Sequence, residues 1–189
     1  MTARLYTAAE TAVIREKILN SYALPIVKKV FDKYPQIKSA YFAVAQYWND
    51  GALDEVHDFI LYSILELPDW EAFAKSEQAE DNYEHWEDYA NSIKDPINLP
   101  GFIDCQDEID GNYTYVKLEG NTYYFDGFNS EIIAAFAAFC KEDSHQCMDY
   151  AEAYTPYALF TRTDTGIKIE IVGKMLRPWL DGIRPEADY

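Results

Sequence analysis

An α+β fold is predicted by three observations: helix-type apolar spacing dominates the first forty residues, uncharged strand-like runs and turn residues suited to antiparallel hairpins follow, and further helical stretches are interspersed among them. With 189 residues, the simplest organisation is a single domain, 1–189, long enough to bury roughly 70% of its unfolded surface without disulfide or metal support. The weakest point of that unit is 94–111, where Pro96 and Pro100-Gly101 mark a long connection and a weak internal boundary.

The elements follow in order. Thr7-Ala-Ala-Glu10 fits a capping box ahead of Val13, Ile14 and Ile18 at helical spacing. A second helix is expected to begin near Pro25, with Ile26, Val27, Val30, Phe31 and Tyr34 on one stripe, Lys28, Lys29 and Lys33 outside, and Pro35 as the stop. Ser39 to Trp48 carries no charge and is apolar on both faces, the pattern of a buried strand. Asn49-Asp50-Gly51 is a turn, and Leu53 to Leu67 fits either a helix or a second buried strand; the block Phe59 to Leu65 favours the strand, giving a hairpin. Pro68-Asp69-Trp70-Glu71 starts a helix with its acids at the positive end of the dipole, continuing irregularly to Ile93. Tyr113–Leu118 and Thr122–Phe125 flank Glu119-Gly120-Asn121 as a hairpin. A helix from Glu131 to Lys141 with Ile132, Ile133, Phe136, Phe139 and Cys140 on its apolar side precedes a short helix after Ser144. A last hairpin pairs Tyr157–Arg162 with Ile167–Val172 through Thr163-Asp164-Thr165-Gly166.

Charge is unevenly spread. The net charge is −17, and Asn49 to Ala90 alone holds thirteen Asp or Glu against Lys75. Phe59, Tyr62, Trp70, Phe73, Tyr83, Trp86 and Tyr89 interleave with those acids, so the stretch is expected to fold instead of remaining a solvated tail. Such a chain repels phosphate backbones and anionic lipid, which argues against direct nucleic-acid or membrane binding. Its electrostatic complement is a basic protein.

Cys105, Cys140 and Cys147 are odd in number and lack a framework spacing, and the N-terminus has no signal-peptide apolar core. The longest apolar run, Ile132 to Cys140, has nine residues, too few to span a bilayer. A reducing, cytoplasmic compartment is the default expectation.

Chemistry is sparsely signposted. No dinucleotide, P-loop or nucleophile-elbow motif occurs, and the turns at Gly51 and Gly111 fail the calcium-loop pattern. Cys140, His145 and Cys147 do not form a familiar zinc knuckle, and packing as a small hydrophobe is the simpler role for a free thiol. Asp54, Glu55, His57 and Asp58, facing Glu84, His85, Glu87 and Asp88, could hold Mg²⁺ or Mn²⁺, although a solvated acidic face is the more ordinary explanation.

Two functions therefore compete, beside a less specific third, a subunit that works only within an assembly with its strand edges and rings buried by a partner. The leading expectation is a non-catalytic acidic protein-binding module, without cofactor or metal, that captures a basic partner. Asp69, Glu71, Glu80, Asp81, Glu84, Glu87 and Asp88 steer the encounter, while Trp70, Tyr83 and Trp86 anchor it. In charge and size it is analogous to immunity and inhibitor proteins that neutralise basic nucleases; no family motif is present. The alternative is a small metal-dependent hydrolase using Asp54, Glu55, His57, His85 and Glu87. Oligomeric state is not legible.

Overall fold

The chain enters its first helix through a capping box. In the computed structural model, which describes residues 6–48, 54–78, 123–124, 131–142 and 151–183, the Glu10 amide donates to Thr7 Oγ1 (3.2 Å) and the Thr7 amide donates to Glu10 Oε2 (2.8 Å). Helix α1 (Ala8–Ile18) follows from it. The expected second start near Pro25 is not a break. The backbone stays helical through a π segment, Leu19–Ala23, where the Leu24 amide reaches back to the Leu19 carbonyl, and runs on as α2 (Leu24–Lys33). Proline lacks the amide needed for an ordinary helical bond, and the wider turn ahead of it accommodates that loss. Val27, Val30 and Phe31 are buried and Lys28, Lys29 and Lys33 exposed, as the spacing predicts.

Five antiparallel strands form one sheet in the order β3-β2-β1-β4-β5: β1 (Ser39–Trp48), β2 (Asp54–Ser63), β3 (Tyr123–Tyr124), β4 (Thr155–Thr163) and β5 (Gly166–Ile171). The strand reading of 53–67 holds for Asp54–Ser63, which pairs with β1 from Ser39↔Ser63 to Trp48↔Asp54. Central β1 is apolar on both faces because both are covered. Ala40, Phe42 and Val44 pack with Val56, Ile60 and Phe160 beneath α1, α2 and α4 (Glu131–Phe136). Tyr41, Ala43, Ala45, Leu61 and Leu159 pack beneath Trp70 and Phe73 of α3 (Trp70–Gln78) and the short 3₁₀ turn Ala151–Ala153. The result is an α+β architecture with helices on both sides of the sheet.

Between Phe42 and Ala43 the β1–β4 register shifts, leaving Tyr157 without a partner on β1, next to Pro156, which has no amide for the ladder. The bulge aims the Tyr157 ring at Phe136 and Phe139, both edge-on with centroids 5.0 and 4.9 Å away. The predicted hairpin at Thr163–Gly166 forms, with Gly166 at φ 150°.

The helix expected over 131–141 is shorter and less one-sided. α4 gives way to a 3₁₀ turn at Ala137–Phe139, and everything from Ala134 to Cys140 is buried. Ala134, Ala135, Ala137 and Ala138 let neighbours close in all round; on one side the Leu176 and Arg177 amides both donate to the Ala138 carbonyl.

Three arginines tie this core together through backbone carbonyls. Arg15 donates to Ala135 O (2.7 Å) and pairs with Asp181 (3.0 Å). Arg162 donates to Phe31 O in the last turn of α2, to Tyr34 O at its C-cap (3.2 Å) and to Ile37 O in the loop beyond (2.8 Å). Arg177 donates to Ala137 O (2.7 Å), Cys140 O (3.1 Å) and Gln46 Oε1 (2.5 Å). Nearly all of the expected hairpin at 113–125, the boundary at 94–111 and most of the predicted post-Ser144 helix lie outside the described residues; Tyr123–Tyr124 pairs with β2.

Candidate functional site

The described part of the acidic stretch centres on the connection from β2 to α3. Strand β2 ends at Ser63 because that side chain competes for the backbone: its Oγ accepts from the Leu65 amide (3.0 Å). Two hydroxyls of β1 then pin the connection from below. Ser39 Oγ donates to Leu65 O (2.5 Å), and Tyr41 OH donates to Pro68 O (3.0 Å). Burial first, and then the nearby Asp69 carboxylate, hold the Tyr41 phenol above its usual pKa, so it stays a donor throughout the neutral range. Asp69 caps α3, its Oδ1 accepting from the Ala72 amide (3.0 Å).

The backbone of 63–69 is thus fixed at several points, with Ser63 and Pro68 buried, while the side chains of 64–67 and Asp69 face water. Leu67 is 74% exposed, Leu65 43% and Ile64 38%, and Glu66, Asp69 and Glu71 are exposed among them. These apolar groups form an ordered lip edged with negative charge. Neutral Leu and Ile side chains held in water on a constrained backbone are suited to contact with another macromolecule, since little ordering entropy remains to be lost.

Of the sequence-predicted contact residues, Asp69 and Glu71 sit on this lip, Glu71 lying 3.8 Å from Lys75 across one helical turn. Trp70 does not serve as a surface anchor. It is 8% exposed and stacks edge-on against Tyr41 (5.7 Å) and beside Phe73 (5.8 Å). Trp70, Phe73 and Ala74 occupy one stripe of α3 and cover the outer face of β1, so the indole is core. Glu80, Asp81, Tyr83, Glu84, Trp86, Glu87 and Asp88 lie outside the described residues. Ile64, Leu65 and Leu67, and not Trp70, are the exposed apolar groups beside these acids. The sequence pattern assigns Ile64 and Leu65 to a buried strand; the readable signal against it is Ser63 before them and Pro68-Asp69 after, which together end a strand and begin a helix within six residues.

Asp58 departs from expectation in the other direction. Grouped by sequence with solvated acids, it is 5% exposed, because alternation along β2 places it with Val56, Ile60 and Tyr62 beneath the helices. Burial pushes its carboxyl up to about 7, opposed by the Tyr22 hydroxyl from the π segment; neither oxygen meets a hydrogen-bond donor at ordinary geometry among the described residues. Cys140 is buried, its Sγ donates to Phe136 O (3.3 Å), and burial pushes its thiol up to about 12, partly offset by Arg177. It is a packing residue. No three His, Cys, Asp or Glu converge among the described residues; His85, His145 and Glu87 lie outside them, as do the side chains of Asp54, Glu55 and His57. No helix among the described residues is long and apolar enough to cross a membrane. Comparison with protein-family models, with curated proteins and with solved structures finds no match.

Proposed function

We propose that this protein is a non-catalytic, cytoplasmic binding module of the immunity or inhibitor type, which captures a basic protein partner through the lip at 64–71. The observation that carries this reading is the exposure of Ile64, Leu65 and Leu67 on a backbone pinned by Ser39, Ser63 and Tyr41, with Glu66, Asp69 and Glu71 around them. The negative groups raise the encounter rate with a cationic surface, and the leucines supply the desolvated contact that holds it. The overall charge of −17 extends the same attraction beyond the lip.

The test is capture from a native lysate on the immobilised full chain at low and high salt, read against two variants. Leu65→Ser/Leu67→Ser removes the apolar contact, and Glu66→Lys/Glu71→Lys inverts the local charge; neither pair touches the pinning hydroxyls or the α3 cap. A basic protein retained by the parent, lost with either variant and released by salt is the expected result. Capture of no basic protein at low salt, or retention indifferent to both variants, would refute the reading.

A further inference from the structure

Strand β5 pairs with β4 on one side, and among the described residues nothing pairs with its other side. The Val172 amide donates to its cross-strand neighbour Tyr157 O (3.0 Å), so even-numbered positions bond to β4. In an antiparallel ladder the bonding side alternates, so the amides and carbonyls of Ile167, Ile169 and Ile171 turn to the open edge. Their side chains lie on the helix-facing side: Ile167 and Ile169 pack on the main core, while Ile169 and Ile171 border an open groove of about 380 Å³ whose other wall is Ala12, Glu16 and Asn20 of the helical segment. Ile171 remains 53% exposed. Lys168 and Glu170 stand on the opposite face, largely in solvent, 2.7 Å apart.

We propose that β5 is a homodimerisation edge, along which two copies pair antiparallel about a two-fold axis at Ile169 and join their sheets into one. The occupant is identified by the self-complementarity of Ile167-Lys168-Ile169-Glu170-Ile171. Turned through a two-fold, Ile167 meets Ile171 of the second copy, Ile169 meets itself, and Lys168 meets Glu170 twice. All the outward-facing amides and carbonyls fall at hydrogen-bonded pairs, and the charges fall at non-hydrogen-bonded pairs, where side chains approach most closely. A slip of two residues either way sets Lys168 against Lys168 or Glu170 against Glu170, so charge selects this register. A single sign of charge would blunt the edge against association; the two signs at exchanging positions do the reverse. The isoleucines of the second copy extend the apolar lane beside the groove. Both copies are strongly negative, but at physiological salt that repulsion is screened beyond about 8 Å, while the Lys–Glu pairs are in contact.

This proposal is independent of the partner-capturing lip, which lies on the β2–α3 connection. It is tested by sedimentation of the full chain over a wide concentration range at physiological salt. A species of twice 21.8 kDa is expected. Lys168→Glu and Glu170→Lys each replace two attractive contacts by two repulsive ones and should weaken association about tenfold or more. The double swap Lys168→Glu/Glu170→Lys restores opposite pairing and should restore the dimer, with circular dichroism verifying the fold of each variant. A monomer at every concentration, a dimer indifferent to both single changes, or a folded double swap that stays monomeric would each overturn the proposal.

Discussion

Replacing Asp58 by Asn isolates the most unusual buried group on β2. The carboxyl titrates near 7 in the fold against 3.8 in the unfolded chain, so between those values the native state holds a proton that the unfolded state lacks. Stability supplied by the neutral carboxyl is therefore complete below the lower value and is lost as pH rises through about 7. At about 1.4 kcal/mol for each pH unit separating the two states, the difference amounts to about 4 kcal/mol over the whole range, of which more than half falls between about pH 5 and about pH 8. Asn keeps the shape and cannot ionise. Urea unfolding of parent and Asp58→Asn at both pH values should show the variant gaining on the parent by about 2 to 3 kcal/mol on moving to the higher pH, since contributions from all other groups cancel in the difference. A parent-minus-variant difference that stays flat across this range would refute the burial reasoning.

Four further outcomes are expected. Gly182→Ala should destabilise by about 2 kcal/mol or more in thermal unfolding, because φ is 79° there and an added Cβ would lie 2.6 Å from Ala8 N and Thr7 C, backbone atoms that cannot swing aside. Thr7→Ala should cost about 1 kcal/mol by urea unfolding through loss of the capping box. Phe42→Ala, at the sheet centre against Phe136 with centroids 6.0 Å apart, should cost about 3 to 5 kcal/mol in the same assay. Site-resolved thiol labelling should leave Cys140 unmodified under native conditions and label it only on unfolding, because a thiol with its pKa pushed up to about 12 supplies almost no thiolate at neutral pH.

Local chemistry made much of the fold legible. The Thr7–Glu10 box, the doubly apolar β1 and the Gly166 turn are each specified within a few residues, by side chains that satisfy or release neighbouring backbone groups, and each appears where predicted. The lip was only half legible. Asp69 and Glu71 were readable as a helix start, but exposure of Leu65 depends on Ser39, twenty-six residues earlier in sequence, reaching its carbonyl.

Composition and spacing alone determined that the chain is acidic, that its helices and antiparallel strands mix, and which residues open α1, α3 and the last hairpin. Only the tertiary structure decided which apolar and charged groups face water. Trp70 and Asp58 went inside and Leu67 stayed out, because the covering of both sheet faces is set by elements distant in sequence, and burial is a property of what packs on a residue more than of the residue itself.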